Sequence, residues 1–290
     1  MSGYKESVFR YGANNNGFGV LTQPVATQPA PSQSEYAAGP LPVLVIFNAG
    51  LLHRSEPYRL PVEVARSLAA HGFSTLRLDL AGKGDSVARE NRVTNRESVA
   101  LDWQGIKQGL DQYLGAGQTF VLMGLCSGAD NAIKLTFADS HADQRVKAMV
   151  LFDPICPRDQ WFYGRRIVQK LFRLSALLQL PGYFYGRLTR LLSGAEAGLE
   201  EPSLRDLPTD EELRHAVHYA AHKNGVLAIF SSYAYDYYNK EGQFSTVTGL
   251  PTDVACEEHL WMEMSHLYAL QAHRDKVVAC VESWFTTRFL

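Results

Sequence analysis

Short, uninterrupted apolar runs separated by helix-length amphipathic stretches mark most of the chain from residue 43 onward. The runs Val43–Phe47, Phe120–Leu125, Val146–Phe152 and Val226–Ser231 are too short for typical helices and show little polar alternation, and Ser74–Leu78 reads as a further strand of the series. That is the pattern of strands buried on both faces. The intervening segments Pro57–Ala70, Arg96–Leu114 and Ser127–Phe137 have helical length and pattern. A further strand within Thr252–Glu258 and a last helix within Leu267–Phe285 complete the series. Strands alternating with helices predict an α/β domain built on a mostly parallel sheet.

Two regions break the alternation. Residues 5–23 read as an edge hairpin around Asn14-Asn15-Asn16-Gly17, residues that tolerate the positive φ of a tight turn. The following stretch, rich in Pro, Ala, Ser and Gln up to Pro42, reads as a surface loop. After Pro154 the pattern turns helical, basic (Arg158, Arg165, Arg166, Lys170, Arg173, Arg187, Arg190) and aromatic (Trp161, Phe162, Tyr163, Phe172, Tyr183, Phe184, Tyr185) over 158–193. An acidic stretch, Glu196 to Glu212, follows. The expected organisation is therefore a core of residues 1–154 and 220–290, with residues 155–219 inserted as a helical cap.

Composition narrows the function. The 290 residues carry 28 Lys+Arg against 30 Asp+Glu, a net charge of -2 that argues against a general polyanion binder. No segment reads as a secretion signal or a membrane span. The four cysteines, Cys126, Cys156, Cys256 and Cys280, form no CxxC pair, so neither a structural zinc site nor a disulfide framework is expected. A reducing, cytoplasmic setting is the simpler expectation. No dinucleotide or phosphate-loop pattern is present, and neither a cofactor nor a metal is expected.

The most specific feature is Gly124-Leu125-Cys126-Ser127-Gly128, between an apolar strand and a helical run. It is a G-x-S-x-G nucleophile turn with cysteine at its centre. Small flanking residues allow the tight strand-to-helix turn that exposes the central side chain, and the Ser127 N–H at the helix start favours an anion. A thiol needs a base to become the attacking thiolate. His266, between the last strand and the last helix, is the expected base, with His259 as fallback. Asp236, just past the strand Val226–Ser231, is the expected orienting acid, with Asp153 and Glu241 as alternatives. The loop Asn48-Ala49-Gly50-Leu51-Leu52-His53-Arg54 follows the first core strand. There Leu51 or Leu52, Leu51 first, is expected to add a second oxyanion amide, and Gly50, His53 and Arg54 to meet substrate. The segment Asp79 to Ser86 reads as a shaped structural loop.

Together these residues resemble the α/β-hydrolase superfamily over about 42–155 and 224–290. More narrowly, Asn48-Ala49-Gly50 with His53-Arg54 and Pro57, Asp79 to Ser86, and Gly124 to Asp130 are similar to the exosortase A system-associated hydrolases. The Tyr237-Tyr238-Asn239 and Gln243-Phe244 run is similar to them as well. The cysteine elbow is also similar to those of dienelactone hydrolases and polyhydroxyalkanoate synthases. The resemblance implies a catalytic core of Cys126, an acid and His266.

A thioester acyl-enzyme is readily attacked by other nucleophiles, which suits activated esters or acyl transfer better than peptides. The expected activity is that of a thioesterase or acyltransferase in a bacterial biosynthetic pathway. Its substrate would be a small-molecule acyl group, carried on coenzyme A or on an acyl carrier protein met by the basic cap. The competing expectations are a non-catalytic binding or scaffold protein and peripheral membrane association through residues 161–193.

Overall fold

The computed structural model describes residues 3–25, 40–172, 205–251 and 253–290. Its strands are β1 (Tyr4–Tyr11), β2 (Gly17–Pro24), β3 (Val43–Phe47), β4 (Thr75–Asp79), β5 (Phe120–Leu125), β6 (Val146–Phe152), β7 (Val226–Ser231) and β8 (Cys256–Trp261). Its helices are α1 (Leu60–Ala70), α2 (Asn95–Leu114), α3 (Ser127–Ser140), α4 (Phe162–Phe172), α5 (Asp210–Lys223), α6 (Gln243–Thr248) and α7 (Gln271–Phe289). The strands form one sheet in the order β1-β2-β4-β3-β5-β6-β7-β8. The hairpin β1–β2 pairs antiparallel with itself and with β4, and all other pairings are parallel.

The uninterrupted apolar runs are explained by two cores. Successive residues of β3 alternate between them: Val43, Val45 and Phe47 face one side, Leu44 and Ile46 the other. The first core packs against α2, α3 and α5, the second against α1 and α7. A strand covered on both faces gains by being apolar at every position. The edge strand β8 departs from this pattern, with sequence CEEHLW, and runs three to four residues later than the apolar pattern suggests. Thr94 and Thr209 cap α2 and α5, each in a capping box with the glutamate three residues on.

The expected hairpin forms, with Gly12, Asn14 and Asn15 all at positive φ in its turn. The expected boundary at 219/220 falls inside α5, whose Leu213, Ala216, Val217 and Ala220 belong to the first core. Of the segment 155–219, the part before α5 that is described comprises residues 155–172, which include α4, and residues 205–209. Residues 173–193 of the basic, aromatic segment, and the acidic residues before 205, lie outside the described residues.

Candidate active site

Cys126 occupies the turn between β5 and α3. Its φ of 55° and ψ of -119° lie outside the regions an ordinary L-residue prefers. The two glycines make this geometry possible by close approach. A Cβ on Gly124 would overlap the Gly128 carbonyl, and one on Gly128 would lie 2.9 Å from the Phe47 carbonyl oxygen. The Cys126 N–H donates to the Phe152 carbonyl at 2.9 Å, continuing the β5–β6 pairing up to the turn.

One residue beyond β6 lies Asp153, fully buried. Its carboxylate accepts the Ser231 N–H at 2.6 Å, the Ser231 hydroxyl at 2.7 Å and His266 Nδ1 at 2.7 Å. Nε2 is the nitrogen left for the hydrogen bond between His266 and Cys126. Burial works against a charged imidazole, yet the bonds to Asp153 and Cys126 push the His266 pKa up to about 9. Burial likewise favours the neutral Cys126 thiol. It is outweighed by the His266 hydrogen bond, the Arg205 and His266 charges and the Ser127 N–H, which hold the thiol below its ordinary pKa. The other three cysteines move the opposite way, because burial dominates: Cys256 and Cys280 reach about 12 and Cys156 goes higher still.

The carboxylate that reaches His266 is therefore Asp153 and not Asp236. A 3₁₀ turn, Ser232–Asp236, carries Asp236 outward from the end of β7. There it is 77% exposed and pairs with Arg166 at 3.0 Å. Glu241 is spent on the Leu260 N–H, and His259 pairs with Glu257.

The loop after β3 is tied to α3 through Ser127, whose hydroxyl accepts the Gly50 N–H at 2.7 Å. Leu52 donates to the Ala49 carbonyl. Among the described residues the Leu51 N–H meets no acceptor, and the Leu51 side chain is exposed.

His53 and Arg54, expected to meet substrate, are engaged with Ser55, Asp79 and Asp85. The Arg54 guanidinium bonds both Asp79 and Asp85 and lies over the Phe18 ring at 4.1 Å. His53 meets the Ser55 hydroxyl at 2.7 Å and Asp85 at 3.5 Å. The cause is Asp79: fully buried at the end of β4, its carboxylate requires charge compensation. The Arg54 and Asp85 backbone N–H groups bond the same carboxylate, and a Cβ on Gly84 would overlap it.

Among the described residues, two groups have metal-ligand composition: His53, Asp79 and Asp85, and Glu257, His259 and Cys280. Arg54 supplies the cation in the first. In the second, Glu257 and His259 already pair at 2.8 Å, and burial keeps Cys280 a thiol.

Sequence reasoning missed three residues around Cys126. Tyr233 stacks on the His266 ring at 4.0 Å. The Tyr237 hydroxyl donates to the Asp153 carbonyl at 3.3 Å. Arg205 forms a two-point ion pair with buried Asp130, one turn into α3. Asp130 stands in the elbow segment, but no local pattern marks Arg205. The described arginines of the basic segment are paired internally, Arg158 with the Asp236 carbonyl, Arg165 with Asp159 and Arg166 with Asp236.

No family model matches the chain, and no curated protein sequence does. Solved structures are similar over nearly its whole length. A dienelactone hydrolase from Anabaena variabilis shares 13% identity at a TM-score of 0.56, covering 99% of each chain. A meta-cleavage product hydrolase from Pseudomonas fluorescens shares 15% at 0.54, covering 97% of each. A serine hydrolase from Cycloclasticus zankles shares 14% at 0.52, covering 99% of each. At such low identity these likenesses speak to architecture alone, and the architecture of this chain is the α/β-hydrolase fold.

Proposed function

We propose that this chain is a cysteine-dependent hydrolase acting on an activated ester or thioester through a covalent acyl-enzyme, with Cys126 as nucleophile, His266 as base and Asp153 as orienting acid. The observation that carries the reading is the continuous line from the buried Asp153 carboxylate through His266 Nδ1, at 2.7 Å, to the Cys126 sulfur. It is the arrangement by which a nucleophile, a base and an orienting group act as a unit. The lowered Cys126 thiol and raised His266 imidazole favour a thiolate–imidazolium pair.

The thiolate attacks the acyl carbon, and the developing oxyanion is met by the Ser127 and Leu51 N–H groups. His266 passes its proton to the departing alkoxide or thiolate, leaving a thioester on Cys126. It then takes a proton from water as water attacks that thioester, and the thiolate is restored. Water is the acceptor in this reading; transfer to another alcohol, amine or thiol would use the same two steps. Coenzyme A and an acyl carrier protein remain proposed acyl donors, although the internal pairing of Arg158, Arg165 and Arg166 removes part of the expected basic docking face. No helix among the described residues is long and apolar enough to cross a membrane.

Incubation with acyl-thioesters should leave an acyl adduct on Cys126, detectable by peptide mass spectrometry, and Cys126→Ala should abolish both adduct and turnover. An unmodified Cys126 together with undiminished turnover in Cys126→Ala would overturn the reading and leave a binding role.

A further inference from the structure

The chain re-enters the described structure at Arg205, next to the nucleophile turn. Arg205 Nη2 donates to Asp130 Oδ1 at 2.9 Å, and Nε donates to the other carboxylate oxygen. Asp130 is fully buried and lies one helical turn beyond Cys126, its N–H on the Cys126 carbonyl at 3.1 Å. The Asp130 N–H on the Cys126 carbonyl sets this carboxylate one turn from the nucleophile turn, and the two-point pair holds the Arg205 guanidinium there. The Ile155 N–H, two residues past Asp153, bonds the same carboxylate. Further pairs fasten the leg that follows. Lys134 Nζ meets both the carboxylate and the carbonyl of Asp206 at 2.7 Å, and Arg96 pairs with Glu212 in the first turn of α5.

We propose that Arg205 is an electrostatic positioning residue for Cys126: pinned by Asp130 and by the docked leg 205–212, its guanidinium places a fixed positive charge beside the sulfur and favours the thiolate. The inference rests on Cys126 being the nucleophile. The groups facing the sulfur are His266 with Asp153 behind it, Arg205 with Asp130 behind it, and the Ser127 N–H; the Tyr237 hydroxyl lies within the field of both Arg205 and the sulfur. His266 can trade a proton with the sulfur, whereas a guanidinium cannot, so Arg205 biases the shared proton toward His266 without titrating itself. The direction of the Cys126 shift agrees, with the Arg205 charge among its causes. Residues 205–209, just before α5, thus contribute to the reactivity of the thiol.

The test is alkylation of Cys126 in the full chain by neutral iodoacetamide and by anionic iodoacetate across pH. In Arg205→Met the midpoint of the iodoacetamide rate should rise by about one pH unit, the size expected for loss of a nearby opposite charge. The iodoacetate-to-iodoacetamide rate ratio should fall about tenfold. Arg205→Lys should recover most of the ratio, and Asp206→Asn, which loosens the leg, should lower it less. In the unsubstituted chain the ratio should exceed that of a free peptide cysteine and decline as salt is raised. A folded Arg205→Met with unchanged midpoint and ratio would overturn the proposal. So would an unsubstituted ratio no higher than that of the peptide, which needs no variant to fold. Rapid labelling of Cys126 with an Arg205-independent ratio sinks this inference alone, whereas no preferential labelling of Cys126 sinks the nucleophile reading with it.

Discussion

Two buried aspartates stand just at the C-terminal ends of parallel strands, each with a histidine nearby, and only one of the two histidines is hydrogen-bonded to its aspartate and to a cysteine. Asp79 ends β4 and His53 Nε2 lies 3.8 Å from it; Asp153 follows β6 and His266 Nδ1 lies 2.7 Å from it. Around Asp79 the Arg54 side chain, the Arg54 N–H and the Asp85 N–H take the carboxylate, and His53 is turned toward Ser55 and Asp85. Around Asp153 the other donors are the N–H and hydroxyl of Ser231, which are neutral. The imidazole is then the cation this carboxylate stabilises, and its remaining nitrogen meets a sulfur. A buried carboxylate saturated by arginine braces a loop, whereas one left to a histidine tunes an imidazole.

The sharpest way to break this contrast is Asp153→Asn. It should lower Cys126-dependent turnover by about 10³-fold or more, because the imidazole loses the partner that sets its tautomer and stabilises its charge. Asp236→Asn, read in the same assay as control, should stay within about twofold.

On the other side, Arg54→Ala strands a buried charge and should cost about 3 kcal/mol of stability in chemical denaturation. Iodoacetamide labelling of Cys126 should change little by comparison. A large loss of labelling with intact stability would reverse the roles assigned to the two pairs.

The smallest effect is in pH. The His266 pKa is raised, to about 9 against an ordinary 6.5. Its contribution to stability is therefore fully present below about pH 6.5 and lost as pH rises through about 9. Melting temperatures of the unsubstituted chain and of His266→Gln should accordingly differ most in mild acid and converge above pH 9. A gap that widens with rising pH would contradict the charged imidazole.

Much of the fold could be read along the chain because covered strands and capped helices leave local patterns. The boundaries of β3, β5, β6 and β7 follow from apolar runs alone. Less of β8 was legible, since an edge strand carries polar residues on both faces. At the site, the glycines around Cys126 announce a tight turn, and the position of His266 between a strand and a helix is visible in the order of elements. The acid was misplaced because distance along the chain from β7 favours Asp236, while in space a 3₁₀ turn swings that residue outward and the parallel pairing of β6 with β7 brings Asp153 beneath Ser231. The carboxylate partners of His53 and Arg54 were illegible for a similar reason, lying 25 to 32 residues away.

The sequence by itself determined the α/β alternation, the strand–turn–helix at Cys126 and the chain order of Cys126 and His266, all of which rest on local propensity and close backbone packing. Only the tertiary structure decided which carboxylate reaches His266, that Arg54 belongs to Asp79, and that Arg205 pairs with Asp130. These are pairings of charges across long sequence separations, set by the strand order of the sheet and by the cost of leaving a buried carboxylate without a partner.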